Sequence, residues 1–220
     1  MFKTYYFLER ASGDPFRARG DEARNWLDGV LPHAAGFVQT RATPEQVAVG
    51  AQPAFAGVAE VWHPRLAEAR AAGEAERIAG ALAPGTRIAH AYTGLARTVM
   101  RLPEHPHARG IKLVFPFRRK AGLSVDAFRK RWWHGHGPIA ARTEHALYYL
   151  QCHPLEEFYA GGAEPPFDGV TELHFADLAL ARAAMASEQM RVDQGEDAQH
   201  FAAAGSVQMF AASEEILRAP

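Results

Sequence analysis

The second half of the chain concentrates side chains that could transfer protons. His134 and His136 lie in the stretch HGHGPIA, and Tyr149, Gln151 and His153 alternate in YLQCH. Histidine is the side chain whose ordinary pKa lies closest to neutral pH, so it can both accept and donate a proton there. General acid–base catalysis of this kind contributes about 10²–10⁴-fold to a rate. These residue types therefore fit an enzyme that removes a proton at one atom and returns it at another.

The chain repeats part of its own sequence at a constant offset of 112 residues. The segment PAFAGVAEVWHPRLAEARAA at residues 53–72 aligns with PPFDGVTELHFADLALARAA at residues 165–184, and about 11 of the 20 positions are identical. A period of this length is typical of a duplicated small domain rather than of a solenoid. We therefore predict one half at residues 1–101, a linker at residues 102–110 and a second half at residues 111–220.

Each half shows the same predicted order of elements: strand, helix, two strands, helix, strand. The second half gives strands at IKLVFPFRR, ALYYLQCH, GVTELHF and SVQMFA, with helices at SVDAFRKRWW and LALARAAMASEQM. The first half gives strands at KTYYFLER, GFVQTR, FAGVAEVW and RIAHAYTGLARTV, with helices at PFRARGDEARNWLDGVL and RLAEARAAGEAERIAGAL. This order is that of the ferredoxin-like fold, whose antiparallel sheet carries helices on one face only. Because a second sheet is the simplest cover for the bare face, we predict an α+β fold in which two tandem ferredoxin-like domains form a pseudo-dimeric α/β barrel.

The period of two along a strand determines which polar residues share a face. In YLQCH, Tyr149, Gln151 and His153 point one way, while Leu150 and Cys152 point the other. Since apolar sets should pack under the helices, we expect the polar sets to face the barrel interior, with His136 at the barrel mouth. The polar sets on the other strands are Lys112, Glu172 with His174, and His90 with Tyr92.

Each candidate also has a purely structural explanation. Glu172 can pair with Lys112 across the sheet, and the first half repeats this pair as Glu60 and Lys3. A pair that occurs in both halves favours a structural role. The other structural explanations are a hydrogen-bonded core pair for Tyr149 and His153, a backbone contact for His136, a cavity wall for Trp133 and a core thiol for Cys152.

The composition argues against several classes of function. A net charge of −1 gives no global field that would attract nucleic acid or an anionic membrane. A single cysteine suits a reducing compartment, and with no signal-peptide pattern or long apolar run we expect a cytoplasmic protein. The His-x-His pairs at 134/136 and at His105/His107 lack further ligands at a suitable spacing, so we predict no metal site. The sequence also has no glycine-rich phosphate loop.

From FRKRWWHGHGPIAA onward, the second half resembles the EthD family of dimeric α/β-barrel proteins. The resemblance consists of short motifs in a fixed order, among them His-x-Pro-Ile-Ala, Tyr-x-Gln-x-His and Asp-Gly-x-x-Glu. The first half keeps fewer of them, since Phe37 stands in the place of Tyr149 and Arg41 in the place of His153. We therefore interpret the first half as a degenerate partner that completes the barrel. The matching positions are Lys112, Gly122–Ser124, Phe128, Trp132, Trp133, His136–Ala140, Tyr149, Gln151, His153, Asp168, Gly169 and Glu172.

The resemblance implies an enzyme without a cofactor that performs dehydratase, cyclase or isomerase chemistry on an aromatic, polyketide-like or lactone substrate. On this hypothesis His136 is the general acid or base, and His153 or Tyr149 is the complementary group. Two other functions stay open: a barrel that binds a hydrophobic ligand without catalysis, and a haem-binding oxidoreductase. Whether the two-domain chain forms a homodimer also stays open. The residues expected to contact the substrate are Gln151, Lys112, Glu172, His174, Trp133, His90 and Tyr92.

Overall fold

Eight antiparallel strands form a closed barrel in the computed structural model, which describes residues 1–42, 55–70, 73–102, 110–162 and 164–219. The strands are β1 (Phe2–Glu9), β2 (Gly36–Ala42), β3 (Gly57–His63), β4 (Arg87–Arg101), β5 (Ile111–Phe117), β6 (Tyr148–Pro154), β7 (Gly169–Phe175) and β8 (Phe210–Arg218). Around the barrel they follow the order β1-β3-β2-β8-β5-β7-β6-β4. This architecture confirms the predicted α+β barrel.

The strands of each half of the chain stay together in the barrel wall. The blocks β4-β1-β3-β2 and β8-β5-β7-β6 have equivalent orders, and they meet at two seams, β2–β8 and β4–β6. Leu95 pairs with His153 across one seam, and Gln39 pairs with Glu215 across the other. Each block therefore covers the edges of the other, so the sheet presents no open edge. The domain boundaries stay a prediction, and the linker histidines 105 and 107 lie outside the described residues.

Short helices cover the outside of the barrel. They are α1 (Gly20–Val30), α2 (Leu66–Ala69), α3 (Glu74–Gly80), α4 (Val125–Lys130), α5 (Gly137–Ala140), α6 (Leu178–Ala186) and α7 (Gly195–Ala198). A π-helical segment, Arg131–His136, joins α4 to α5, and a second one, Gln189–Gln194, leads into α7. A 3₁₀ segment spans Glu156–Gly162. Within the described ranges, none of the helices has the length and apolar character needed to cross a membrane.

Several predicted elements were wrong in detail. The helix predicted from Pro15 begins only at Gly20, and the helix predicted from Leu178 to Met190 ends at Ala186. The helix predicted over RLAEARAAGEAERIAGAL is two helices, because Gly73 adopts a left-handed φ of 80° before α3 and a continuous helix cannot pass through it. The strand predicted at SVQMFA begins only at Phe210 and continues to Arg218. The charged part of this strand fits into the barrel wall because the carboxylate of Glu214 lies 2.6 Å from Nζ of Lys112 in the barrel interior.

Buried side chains form separate layers inside and outside the barrel wall. The interior cluster draws on strands of both halves and contains Tyr5, Tyr92, Leu150 and Cys152. Tyr149 packs instead in the outer layer beneath the helices of the second half. The rest of the outer second-half layer includes Leu113, Leu173, Phe175, Ala181 and Ala184, with an aromatic group of Phe117, Phe128, Trp132 and Phe201.

The expected orientation of β6 was therefore wrong. Tyr149, Gln151 and His153 face the helices, whereas Leu150 and Cys152 face the barrel interior. All seven residues of β6 are buried, so burial alone does not distinguish its two faces. The polar face is tolerated under the helices because the helix backbone supplies it with a hydrogen-bond acceptor.

Candidate functional site

His136 is positioned by a helix that changes its winding. Ser124 caps the start of α4, where its hydroxyl accepts a hydrogen bond from the backbone N–H of Ala127 at 3.1 Å. From Arg131 the helix widens to π winding, and the N–H of Gly137 donates to the carbonyl of Trp132. Single π turns inside helices occur frequently at functional sites. Here the wide turn ends at His136, which is buried.

The imidazole of His136 is held by a carboxylate from another helix. Its Nδ1 lies 3.0 Å from Oδ2 of Asp197 on α7. Since a carboxylate accepts hydrogen bonds, Nδ1 carries the proton and Nε2 keeps its lone pair. Nε2 has no hydrogen-bond partner among the described residues. Burial lowers the pKa of His136 and the charge of Arg131 lowers it further; together they exceed the opposite effect of Asp197.

Arg131 completes this group by binding the other oxygen of Asp197. The guanidinium reaches Asp197 by passing over Gly135, where a Cβ atom would overlap it. This close contact explains why the residue between the two histidines of HGHGPIA is a glycine. The result is a chain of three groups in which Asp197 bridges Arg131 and His136.

His136 borders a mostly apolar cavity of about 150 Å³ between β5, β7 and the covering helices. The ring of Phe201 lies 4.8 Å from that of His136, between centroids. A dry cavity of about 150 Å³ is large enough for a benzene ring. The cavity is lined by Phe115, Phe117, Trp132, His136, Thr171, Leu173, Met190, Gln194, Gly195, Ala198, Phe201, Ala202 and Val207.

Gln151 connects β6 to the π-helical turn. Its Nε2 donates to the carbonyl of Trp132 at 3.1 Å and to the hydroxyl of Tyr149 at 2.6 Å. Because the Trp132 carbonyl can only accept, the amide orientation is fixed and Oε1 of Gln151 accepts from Nε2 of His153 at 2.9 Å. None of these three residues lines the His136 cavity. Their network lies behind Trp132 and supports the backbone that carries His136.

His153 is held as a neutral imidazole. Burial, followed by the charges of Arg97 and Arg129, lowers its pKa to about 3. Its ring packs 4.5 Å from that of Trp132 and 5.7 Å from that of Trp133, between centroids. Its Nδ1 is buried and has no hydrogen-bond partner in the described chain.

Two lysines and three glutamates share the barrel interior. Nζ of Lys3 lies 2.5 Å from Glu172 and 2.7 Å from Glu60, so it joins both halves. Nζ of Lys112 contacts Glu60 and lies 2.6 Å from Glu214. The pair expected from the sequence, Lys112 with Glu172, is the longer one at 3.9 Å. The expected pair of Lys3 with Glu60 is thus present, and further contacts, Lys3 with Glu172 and Lys112 with Glu60, connect the two halves.

His174 balances the charge of this network. Its Nδ1 lies 3.2 Å from Glu214 and its Nε2 3.6 Å from Glu172. Burial opposes protonation of His174, but the two carboxylates outweigh it and raise its pKa. Burial likewise opposes ionisation of Glu172, but Lys112 and Lys3 outweigh it and hold the pKa of that carboxyl well below its usual range. With His174 protonated, three basic groups face three acidic groups.

The predicted site residues therefore do not share one cavity. Of them, His136 borders the aromatic cavity, and Tyr149, Gln151 and His153 support it from behind Trp132. Trp133 lies at the edge of that support, with the guanidinium of Arg97 3.6 Å above its ring. The barrel interior holds Lys112, Glu172, His174 and Tyr92, whose hydroxyl donates to the carbonyl of Cys152 at 2.8 Å, and His90 packs against Phe55 and Phe167.

The sequence did not indicate three residues of the candidate site: Asp197, Arg131 and Gln194. Asp197 follows His136 by 61 residues, and no short spacing connects the two. Asp197 and Gln194 belong to a polar stretch, DQGEDAQH, that is typical of an exposed helix. The glycine between the two histidines was the available signal for Arg131, because a small residue in a helix indicates close approach of another group.

A larger cavity of about 430 Å³ lies in the first half, beside the end of β3. Its lining includes His63, Glu68 and Glu74. The hydroxyl of Tyr6 donates to Glu74 at 2.6 Å, and Arg65 donates to Glu68 at 2.8 Å. Each carboxylate there already has a protein partner, so we regard the aromatic cavity beside His136 as the better candidate for chemistry.

The metal and haem alternatives are tested by the same geometry. Among the described residues, no group of three or more His, Cys, Asp or Glu side chains is arranged to hold a metal ion. Haem, with four pyrrole rings, does not fit a cavity of about 150 Å³ walled by Phe117, Trp132 and Phe201. The site thus fits a ligand of about one ring.

Comparisons with known proteins support the fold and the family. No curated protein matches the sequence. A protein provisionally called a monooxygenase from Lactobacillus acidophilus NCFM superposes with a TM-score of 0.54 at 8% identity, over 98% of this chain and 94% of that one. A chlorite dismutase variant from Candidatus Nitrospira defluvii superposes with a TM-score of 0.52 at 14% identity, over 96% of this chain and 90% of that one. At such identities the similarity shows the fold alone.

The family match is confined to the second half. It covers residues 120–205, which include both His136 and Asp197. The motifs in HGHGPIA and YLQCH that carried the resemblance lie within that range. Residues 120–205 of this chain therefore match the model of the EthD domain.

Proposed function

We propose that this chain is an enzyme that moves a proton on a small, mostly apolar substrate, with His136 as its base. The observation that carries the proposal is the state of the imidazole beside the aromatic cavity: Asp197 holds Nδ1 at 3.0 Å, while Nε2 has no partner among the described residues. A base oriented by a third group is the recurring arrangement of acid–base sites. The lowered pKa keeps the imidazole unprotonated near neutral pH, ready to accept a proton.

In the proposed reaction, Nε2 of His136 takes a proton from the substrate, and the imidazolium formed is stabilised by Asp197. The imidazolium then returns the proton at a second atom. In a dehydration this breaks a carbon–oxygen bond and releases water, and in an isomerisation the proton returns to a different carbon. Because proton gain and loss balance within one substrate, a dehydratase, cyclase or isomerase of aromatic, polyketide-like or lactone compounds needs no organic cofactor.

The proposal changes the roles first expected for the neighbouring residues. Tyr149, Gln151 and His153 lie behind Trp132, so we assign them to supporting the π-helical turn rather than to touching the substrate. His153 cannot act as an acid near neutral pH because its pKa is about 3. The buried ion pairs around Lys112 and Glu172 are assigned to barrel structure.

The two halves of the chain keep the roles expected from the sequence. We propose that residues 1–101 complete the barrel and that residues 111–220 carry the chemistry. The single cysteine, Cys152, is buried, which suits a reducing compartment such as the cytoplasm.

The first experiment is a thermal-shift screen of the purified protein against phenols, quinones and lactones. A ligand at about 100 times its Kd stabilises a protein by about 2.7 kcal/mol, which raises the Tm of a chain of this size by roughly 5–10 °C. Absorbance near the Soret region is recorded first, because a strong band would favour a haem protein instead.

Compounds that bind are then tested for turnover by the wild type, His136→Ala and His134→Ala. His134 is exposed and only two residues away, so it is a matched control. We expect His136→Ala to lose at least about 10²-fold in rate, the lower range for general base catalysis, and His134→Ala to stay active. A fully active His136→Ala would overturn the proposal, and binding without turnover by any variant would favour a ligand-binding barrel.

A further inference from the structure

Gln194 is a buried amide on the wall of the His136 cavity whose orientation is fixed by its neighbours. It is the last residue of the π-helical segment Gln189–Gln194. An amide side chain has a donating NH₂ and an accepting oxygen, and which of them faces the cavity decides what ligand the site can take.

The first anchor of Gln194 is Thr143. The hydroxyl of Thr143 donates to the backbone carbonyl of Ala140 at 2.6 Å, so its single proton is used. The contact of 2.9 Å between that hydroxyl and the Gln194 amide must therefore be donated by Gln194 through Nε2.

The second anchor is Gln189, and it gives the same result independently. Nε2 of Gln189 donates to the backbone carbonyl of Ile139 at 2.8 Å, which leaves Oε1 of Gln189 as an acceptor. Nε2 of Gln194 donates to that oxygen at 2.8 Å. Both N–H groups of Gln194 are thus used, and its Oε1 has no hydrogen-bond partner among the described residues.

Two residues of the cavity wall therefore each keep an acceptor atom that no described residue engages, Oε1 of Gln194 and Nε2 of His136. Arg131, which lies on the π-helical segment that carries His136, is paired with Asp197 and is not part of the cavity lining. The hydroxyl of Thr171, also in the lining, can donate or accept and so does not change this balance.

We propose that Gln194 selects the substrate by accepting a hydrogen bond from a hydroxyl or N–H group on a neutral, one-ring compound, while His136 takes the reacting proton. The role of His136 rests on the proposed function, whereas the role of Gln194 rests on the fixed amide. A carboxylate is disfavoured because it would bring acceptors against acceptors, and the described lining residues include no lysine or arginine to balance its charge.

The experiment measures binding of four probe types by calorimetry at about pH 8, where His136 is neutral. The probes are the three dihydroxybenzene isomers, phenol, the corresponding methoxyphenols and benzoate. Phenol removes one donor without adding bulk, so it is the main comparison. The variants are Gln194→Met and, as a matched control, Gln199→Met, which makes the same change at an exposed position.

We expect the best dihydroxybenzene to bind the wild type at least about fivefold more tightly than phenol, because phenol leaves a buried acceptor unpaired. This ratio should fall towards one in Gln194→Met and stay unchanged in Gln199→Met. If Gln194→Met fails to fold, Gln189→Met, which removes one anchor of the amide but keeps Gln194 itself, must weaken the preference.

Three results would overturn the inference: no preference in the wild type, the same preference in Gln194→Met, or no binding of any probe. Failure of the proposed function gives a different pattern. An active His136→Ala together with a preference that depends on Gln194 would leave the inference standing for a binding pocket.

Discussion

Nζ of Lys3 in the first strand lies 2.5 Å from Oε1 of Glu172 in the seventh, and both side chains are almost completely buried. The contact joins the two halves of the chain through the barrel interior. Removing either partner leaves the buried network with one charge in excess, although Lys3 also contacts Glu60 and Glu172 also lies near Lys112. The cost of a buried charge in excess is larger than the net contribution of an intact buried pair.

We expect Glu172→Gln to lower the free energy of unfolding by about 3–5 kcal/mol, because Lys3 and Lys112 then lose a carboxylate that both use. Urea denaturation followed by circular dichroism measures the change. Glu22→Gln makes the same substitution at an exposed position of α1 and should stay within about 0.5 kcal/mol of the wild type. Equal stability of the two variants would contradict the prediction.

His174 should make the stability of the barrel depend on pH. Its pKa is raised in the folded chain, where Glu172, Glu214 and Lys112 surround it. Protonated His174 stabilises the folded chain. This stabilisation is complete below the pKa of histidine in the unfolded chain, about 6.5, and it is lost as pH rises through the pKa of His174 in the folded chain. The stability difference between wild type and His174→Gln should thus be largest below about pH 6 and shrink at alkaline pH. A difference that grows with pH would show that His174 is buried neutral.

The strands of this barrel could be predicted because their residues alternate and because the halves repeat. GVTELHF was predicted over the residues that form β7, and the helix predicted from Ser124 onward begins there, with Ser124 as its cap. The interior position of Lys112 and Glu172 also followed from the period of two. These features depend on contacts between near neighbours along the chain, which the sequence displays directly.

The candidate site could be predicted only in part. The polar face of β6 appeared to belong inside the barrel because nothing in YLQCH indicates that a π-helical turn offers the Trp132 carbonyl to Gln151. Asp197 could not be paired with His136 because the pairing depends on how two distant helices meet. Such tertiary contacts have no local signal.

His153 should destabilise the folded chain in mild acid. The pKa of His153 is about 3 in the folded chain, below the value of about 6.5 in the unfolded chain. The folded chain therefore has its full stability above about pH 6.5 and loses stability as pH falls towards 3, because the unfolded chain binds the proton first. The shift corresponds to about 2 kcal/mol at about pH 5. We expect His153→Gln, which keeps a group able to donate to Gln151, to lose less stability between about pH 7 and 5 than the wild type.

The control for this change is His134→Gln at an exposed position. It should follow the pH dependence of the wild type. The prediction fails if His153→Gln and His134→Gln show the same slope of stability against pH.

Gly135→Ala should raise the pKa of His136 without touching it. A Cβ at this position overlaps the guanidinium of Arg131 and displaces it from Asp197. Since the charge of Arg131 lowers the pKa of His136, its displacement favours the protonated imidazole. The pH at which half of His136 is protonated, followed by NMR, should therefore move upward, and Arg131→Met should move it in the same direction. Gly29→Ala on α1, where an added Cβ meets no atom within 4 Å, should leave the titration unchanged. An unchanged or lower pKa in both Gly135→Ala and Arg131→Met would show that Asp197 alone sets the state of His136.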